Sequence, residues 1–248
     1  MTLPLAGRTV LVTRPVHQAA PLVAAIRAAG GDAYEFPALA IEPVADMQPH
    51  VPADTDSVIF ISPNAAQFGI ALLHGLPAST RILAVGSGTA RVLAAAGVTG
   101  VIVPGGQDSE ALLALPQLTA VAGQRIVIVR GVGGRPLLGD TLAARGATVS
   151  YRECYRRLRP DTDAAPLRAR WQAGRIDAVT VASAETLTNL IAMLGPDAMH
   201  WLAATPLFTP HEKIAAMARS LGITHATALP GGDAFLVAGL IDWFRNAT

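Results

Sequence analysis

The chain is built from two copies of one pattern, and this duplication constrains the fold more than any other feature. The run Arg8-Thr9-Val10-Leu11-Val12-Thr13-Arg14 returns as Gln124-Arg125-Ile126-Val127-Ile128-Val129-Arg130. Each is followed by a polar turn containing Gly or Pro and a Leu/Ala-rich segment, then by Gly30-Gly31-Asp32-Ala33 or Gly146-Ala147-Thr148-Val149. Asp56-Ser57-Val58-Ile59-Phe60-Ile61-Ser62 returns as Asp177-Ala178-Val179-Thr180-Val181-Ala182-Ser183, and Val101-Ile102-Val103-Pro104-Gly105-Gly106 as Thr227-Ala228-Leu229-Pro230-Gly231-Gly232. The order is kept across all pairs. A solenoid unit has a period of about 20–50 residues, much shorter than this offset. The pattern predicts two similar α/β lobes, and two similar lobes make a cleft.

With 248 residues, the chain is long enough for one large domain or two small ones, and the repeat favours two. Its apolar share of 51% against 15% charged residues suits parallel sheets covered on both faces. A net charge of +1 supplies no field for general attraction to nucleic acid or an anionic membrane, so neither is expected as a partner. Of the 19 basic residues only Lys213 is a lysine. Base composition of the genome is one source of that bias, but arginine also holds carboxylates in a fork that lysine cannot match. Cys154 is the single cysteine, which excludes an internal disulfide and any multi-cysteine zinc site. The first apolar run has no basic stretch before it and stops at Arg14-Pro15, unlike a signal peptide. No apolar stretch is long enough to span a bilayer. These features lead to the expectation of a cytoplasmic protein.

β-Branched runs alternate with Ala/Leu-rich segments. The expected strands are 9–13, 32–36, 57–61, 82–85, 100–103, 125–129, 148–151, 178–181, 206–208 and 225–229. Ser62-Pro63-Asn64 places a capping residue before a proline at the first helical position, and Ser109, Ser183 and Thr209 read the same way. Helices are expected to end at Gly30, Gly97, Gly146, Gly195 and Gly222. Such alternation gives parallel sheets with right-handed crossovers. The segments 37–43 and 152–159 break the rhythm. Each follows the second strand of its copy and continues extended, and the two could pair as a connector, with linkers after them at 43–52 and 160–166.

Taken in order, these residues resemble the uroporphyrinogen-III synthase family. The resemblance is carried by Leu11-Val12-Thr13-Arg14-Pro15, by Phe60-Ile61-Ser62-Pro63-Asn64-Ala65 and by Val85-Gly86-Ser87-Gly88-Thr89-Ala90. It continues in Ile128-Val129-Arg130-Gly131 through Gly134-Arg135 to Tyr155-Arg156, and in Phe208-Thr209-Pro210-His211 through Leu221-Gly222. It covers essentially the whole chain, and its specificity lies in the order and spacing of motifs that are individually weak. The resemblance implies an α/β fold of two flavodoxin-like parallel-sheet lobes joined by a two-stranded β-ladder, with the cleft between them. Residues 1–37 and 161–248 would form a discontinuous first lobe, residues 46–150 the second, and 38–45 with 151–160 the connector. The first strand–helix–strand of each copy would then pack with the remainder of the other copy.

The same resemblance implies a lyase that converts hydroxymethylbilane to uroporphyrinogen III, inverting ring D and losing water, with no metal or organic cofactor. Transient contact with hydroxymethylbilane synthase would belong to that role. Folding a flexible chain that carries eight carboxylates so that its ends meet is mainly a positioning problem. Tyr155 matches the family position proposed as the acid assisting hydroxide loss; a phenol stays protonated at neutral pH. Its structural alternative is an aromatic packed on the connector.

Ser87, Gly88 and Thr89 lie where a strand turns into a helix, and backbone N–H groups there can hold a carboxylate; the alternative is a plain cap with glycines for a tight turn. Ser62, Asn64 and Ser183 occupy equivalent turns, beyond the carboxyl ends of strands, where ligands of open α/β sheets bind. Thr209, His211 and Lys213 form the matching turn of the other lobe. That turn departs from the usual Ser/Thr-Pro-Arg-like stretch of the family and can equally be a solvated helix start. Arg14 and Arg130, at strand ends, are candidates for binding anionic side chains. Arg152, Arg156, Arg157 and Arg159 form a connector cluster that also suits a solvated ribbon.

Other motifs fail. Gly86-Ser87-Gly88-Thr89-Ala90-Arg91 and Gly131-Val132-Gly133-Gly134-Arg135-Pro136 both lack the third glycine of the dinucleotide fingerprint, which counts against a nucleotide- or flavin-binding protein. His211-Glu212 has Ala215 where a zincin needs its second histidine, and the remaining histidines show no metal-ligand spacing. No nucleophile elbow occurs. A non-catalytic anion-binding or regulatory protein on the same scaffold is the alternative to the enzyme.

Overall fold

A computed structural model of the chain describes residues 3–45, 50–106 and 108–246. In chain order the elements are β1 (Thr9–Val12), α1 (Val16–Ala28), β2 (Asp32–Glu35), β3 (Ala40–Pro43), β4 (Ser57–Phe60), α2 (Pro63–Gly69), a 3-10 turn at Ile70–Leu73, β5 (Arg81–Ala84) and α3 (Ser87–Ala95). Then follow α4 (Ser109–Leu113), α5 (Pro116–Thr119), β6 (Arg125–Gly131), α6 (Leu137–Ala144), β7 (Thr148–Leu158), α7 (Ala165–Gln172) and β8 (Ala178–Thr180). The chain closes with α8 (Ala184–Leu194), α9 (Ala198–Ala204), β9 (Leu207–Thr209), α10 (Glu212–Ser220), β10 (Ala226–Ala228) and α11 (Asp233–Asn246). Two compact units result: Met1–Ala40 with Leu158–Thr248, and Ile41–Arg157.

The first unit holds a five-stranded sheet in the order β10-β9-β8-β1-β2. Its pairings are parallel, with Val10 opposite Ala33 on one side and Ala178 on the other. Alternation along these short strands serves two cores. Leu11, Val179 and Leu207 pack with Leu167 of α7, Leu187 and Leu190 of α8, and Ala215 of α10. Val10, Val12, Ala178 and Phe208 face the other way, against Leu22 and Ile26 of α1 and Leu236 and Leu240 of α11. A strand buried on both faces has no polar side to display, which is why these runs read as continuous apolar segments. Two hydroxyls staple β1 to β8 across a long gap in the chain: Thr13 Oγ1 donates to the Thr180 carbonyl at 2.7 Å, and Thr180 Oγ1 to the Leu11 carbonyl at 3.0 Å.

The second unit repeats the arrangement in the order β3-β7-β6-β4-β5. β4 pairs in parallel with β5 and β6, and β6 with β7. Val58, Phe60, Val127 and Val129 pack with Ala65 and Ala66 of α2 and Leu93 of α3. Ile59, Leu83, Ile126 and Ile128 pack under Leu112 of α4, Leu118 of α5 and Leu142 of α6. The topology shows an exchange between the copies. β1-α1-β2 completes the sheet of β8, β9 and β10, whereas its repeat, β6-α6-β7, completes the sheet of β4 and β5.

Most expected strands form within one or two residues of their sequence-based bounds. The exception is 100–103, which supplies only a bridge from Ile102 to Leu83. Gly100 sits at φ 69°, and Pro104 follows closely, so the run is too short to ladder. β7 continues unbroken for 11 residues, carrying the extended segment of the second copy, and β3 lies beside it in the sheet. The linker expected at 43–52 lies partly outside the described residues. Ser62 and Ser183 cap α2 and α8 as expected, accepting from Ala65 and Thr186 backbone N–H groups. Two caps fall elsewhere. Asp108, not Ser109, caps α4, because its carboxylate reaches the Ala111 N–H at 2.8 Å. Thr209 is the last residue of β9, and His211 takes the cap position of α10 without a side-chain bond. The equivalent stop glycines Gly30 and Gly146 adopt φ of 89° and 87°, a backbone region that residues with a Cβ seldom enter.

Gly69 sets the distance between α2 and the sheet. A Cβ there would lie 2.5 Å from Val129 Cγ1 and 3.4 Å from Cys154 Sγ. Gly69→Ala gains at most about 1 kcal/mol of helix propensity and costs about 1–3 kcal/mol in overpacking. The net effect expected is a lower melting temperature, by about 2–4 °C per kcal/mol at this chain length. Differential scanning calorimetry reads it, and an unchanged or raised Tm would contradict this packing.

Candidate active site

At the carboxyl ends of β4, β6 and β7 in the second unit lies a pocket of about 280 Å³. Ser62, Arg130, Gly131, Arg135, Tyr151, Tyr155 and Arg157 line it, with Asp108 and Gly139. The expected residues Asn64, Ser87, Gly88 and Thr89 do not. Asn64 belongs to the first turn of α2. Ser87 and Gly88 are exposed at the start of α3, and Thr89 is buried within it. Their turns do follow β4 and β5, as expected, but the side chains are not brought into this pocket.

Tyr155 occupies its position because of an irregularity in the backbone. β6 and β7 run in register to Arg130 opposite Glu153, then shift so that Gly131 pairs with Tyr155. The Val132 N–H donates to the Tyr155 carbonyl at 2.9 Å beyond the shift. Extra residues of this kind re-aim side chains. By alternation Tyr151 and Tyr155 would share a face. Instead Tyr151 packs with the cluster under α4 to α6, and Tyr155 with the cluster under α2 and α3, beside its neighbour Cys154. Gly131 permits this arrangement: a Cβ there would stand 2.6 Å from Tyr155 Cζ. The ring, only 3% exposed, also meets Phe68 at 6.1 Å between centroids. Its hydroxyl shares a 3.1 Å hydrogen bond with Ser62 Oγ, in which either oxygen can donate. Ser62 Oγ already accepts from the Ala65 N–H at 2.9 Å, so the helix cap orients the hydroxyl facing the phenol.

Arg130 is held on every side. Its Nε and Nη2 donate to Glu153 Oε1 at 3.2 and 2.9 Å, and its Nη1 to the Gly134 carbonyl at 3.0 Å. The guanidinium lies 3.9 Å from the centre of the Tyr151 ring, a cation–π geometry. Gly139 of α6 leaves room for the Tyr151 hydroxyl, which a Cβ would meet at 1.8 Å. A pocket of this composition, with surplus guanidinium and a phenol, suits an anionic ligand and proton donation to it. Among the described residues no group of three or more His, Cys, Asp or Glu could hold a metal ion.

A family model described as uroporphyrinogen-III synthase HemD matches residues 20–230. The chain belongs to the uroporphyrinogen-III synthase family. The uroporphyrinogen-III synthases of Escherichia coli K12 and Salmonella typhimurium are 36% and 38% identical to it over 227 and 228 residues, each match covering 86% of this chain and 92% of the relative. Among solved structures, a mutant uroporphyrinogen III synthase of the extremely thermophilic bacterium Thermus thermophilus superposes with a TM-score of 0.60 at 20% identity, covering 97% of this chain and 98% of that one. The uroporphyrinogen-III synthetase of Helicobacter pylori 26695 gives 0.57 at 14% identity, covering 94% and 98%. Both likenesses concern the fold, an α/β arrangement with two predominantly parallel sheets.

The synthase family's other candidate residues in this chain belong to the first unit. Arg14, after β1, is ion-paired with Asp233 at the start of α11, Nη2 to Oδ1 at 2.6 Å. Ser183 Oγ, besides capping α8, shares a 2.8 Å hydrogen bond with Thr186 Oγ1. Thr209 is fully buried, and its hydroxyl finds no hydrogen-bond partner among the described residues. His211 and Lys213 are exposed at the start of α10. Within the connector cluster, Arg152 donates to the His50 carbonyl and Arg156 pairs with Glu42 at 3.8 Å, so both have structural partners.

The sequence reading did not single out Glu153, Tyr151, Gly131 or Gly139 as site residues. Gly131 entered it only in the family-like run Ile128–Gly131 and in the glycine run 131–134, which failed as a nucleotide motif. No helix among the described residues is long and apolar enough to cross a membrane.

Cys154, beside Tyr155 in β7, is buried, and loss of solvent pushes its thiol up to about 11. The thiol form is therefore retained in the fold, and the thiolate is the reactive species. Iodoacetamide at pH 8 should label the folded protein at least about tenfold more slowly than the guanidinium-unfolded protein. Equal rates would show that this part of β7 opens readily.

Proposed function

We propose that this chain closes hydroxymethylbilane to uroporphyrinogen III with inversion of ring D and loss of water. The observation that carries the reading is the Tyr155–Ser62 hydrogen bond in a pocket supplied with arginines, in a chain of this family. Tyr155 donates its proton to the ring A hydroxymethyl oxygen as the C–O bond breaks, so that water leaves and an azafulvene forms. Ser62, fixed by the Ala65 N–H, orients the phenol and donates its own hydroxyl proton to the phenolic oxygen, which stabilises the phenolate that forms. Ring D then attacks the azafulvene carbon through its substituted α-carbon. The resulting spiro intermediate fragments and recloses with ring D inverted, and the proton lost from carbon returns the phenolate to phenol.

The carboxylates of the bilane are held by arginine and by the turns that follow the strands. Ser62 belongs to the second unit, as do Asn64, Ser87, Gly88 and Thr89, and Arg130 there braces the pocket through Glu153 and the Gly134 carbonyl. Arg14, Ser183, Thr209, His211 and Lys213 supply the corresponding turns of the first. Because hydroxymethylbilane closes spontaneously to isomer I, transient transfer from hydroxymethylbilane synthase in the cytoplasm suits this role.

The test is to supply hydroxymethylbilane, oxidise the products and separate the uroporphyrin isomers by chromatography. Isomer III, formed at a rate that rises with protein concentration, is expected. Isomer I alone would mean that the scaffold is present without the chemistry, as in an anion-binding protein. Tyr155→Phe removes the proton and keeps the ring packing. It should lower kcat by about 10²-fold or more, the range of general acid catalysis, and leave product binding nearly intact. Full activity in that variant would remove Tyr155 from the mechanism.

A further inference from the structure

Three guanidinium groups line the pocket, and their different commitments separate their roles. Arg130 is 14% exposed, and three of its five N–H donors are committed to Glu153 and the Gly134 carbonyl. Arg157 lies 5.9 Å from the Tyr155 ring centre. Arg135 is exposed, lines the same pocket, and has no hydrogen bond, ion pair or ring contact among the described residues. Resting on the reading above, we propose that Arg135 is the pocket's carboxylate receptor, binding one acidic side chain of the bilane. Arg130 is a positioning residue that holds the loop presenting it.

The geometry of the loop carries the argument. Residues 131–135 leave the sheet at the register shift that also seats Tyr155. Gly133 turns the loop at φ 74°. At Gly134 the loop is pinned by the bond from Arg130 Nη1, with the arginine's Cδ only 3.1 Å from where a Cβ would be. Arg135 follows directly, so its Cα is fixed relative to the phenol while its side chain remains available.

The pocket's acids do not cancel it. The Glu153 charge is matched by Arg130. Asp108, the cap of α4, leaves one negative charge against Arg135 and Arg157. The surplus is cationic, and a planar guanidinium with unused N–H groups matches a carboxylate in bidentate fashion. The arrangement reproduces a general design, in which a contact residue is aimed by one that is itself locked.

Steady-state kinetics with prepared hydroxymethylbilane, on the full chain and on Arg135→Gln, test the assignment. The expected result is a KM about fivefold higher, equivalent to about 1 kcal/mol, with kcat within about twofold. Added salt should raise the KM of the parent chain more than that of the variant. Arg135→Lys should recover part of the loss, since the charge returns without the fork. Fluorescence titration with uroporphyrin III reads the same contact without turnover and should show the same weakening. Melting temperatures of both variants should match the parent, because the side chain has no partner among the described residues to lose.

If the parent chain makes isomer III and Arg135→Gln matches it in KM and uroporphyrin affinity, the assignment fails and the synthase reading stands. If the parent makes only isomer I but binds uroporphyrin III through Arg135, the synthase reading fails and the carboxylate site stands. Arg130→Gln should instead lower Tm as well as kcat/KM; an unchanged Tm would overturn its positioning role.

Discussion

The structure depends on the double pairing of two interior strands. β1 is flanked by β2 and by β8, and β6 by β7 and β4. In the first unit the flanking strand comes from about 170 residues away: the hydroxyl staples join residues separated by 167 and 169 positions. The Met1–Ala40 segment therefore has no complete sheet until Leu158–Thr248 is in place. Parallel strands cannot be joined by tight turns, so each sheet is covered on both faces by the helices that connect its strands. That coverage consumes the apolar residues of the chain and leaves the carboxyl ends of the strands as the places where polar side chains converge.

Within that frame, the pocket owes its shape to the absence of side chains. Gly131 admits the Tyr155 ring, Gly139 admits the Tyr151 hydroxyl, and Gly134 lets Arg130 close on the loop. Each glycine is placed where a Cβ would meet the neighbouring group at 3.1 Å or less. The register shift at Arg130 and Gly131 does what alternation forbids, sending two tyrosines four residues apart to different cores. A strand with perfect alternation would place both phenols on one side, away from the Ser62 cap.

Electrostatics divides the arginines by burial. A guanidinium that is largely withdrawn from water needs its donors satisfied. Arg130 meets this with a carboxylate, a carbonyl and an aromatic face, and Arg14 with Asp233. Such residues brace the backbone. Exposed Arg135, with no partner among the described residues, costs little to leave so in water and remains open to a ligand. The distinction is invisible in the sequence, where all are arginines at strand ends.

The duplication, the alternation of strands and helices, the stop glycines and the caps at Ser62 and Ser183 were all legible in the sequence, because each rests on local chemistry: an apolar run, a residue able to take positive φ, a hydroxyl next to free N–H groups. The family was legible too, through the order of its motifs. Local rules also explain where the reading slipped, since 100–103 had the composition of a strand but not the length to pair. The site was only half legible. Tyr155, Ser62 and Arg130 could be named, but their geometry could not, because it arises from a register shift between strands whose relative slide no single strand encodes. Glu153, Tyr151 and the glycines around them acquired meaning only when β6, β7 and α6 were brought together. By itself the sequence determined which elements form and in what order they are strung. Which strands become neighbours across more than a hundred residues, and which arginine is left free to meet a ligand, were decided by the tertiary structure, because burial and partnership are properties of contacts between distant segments.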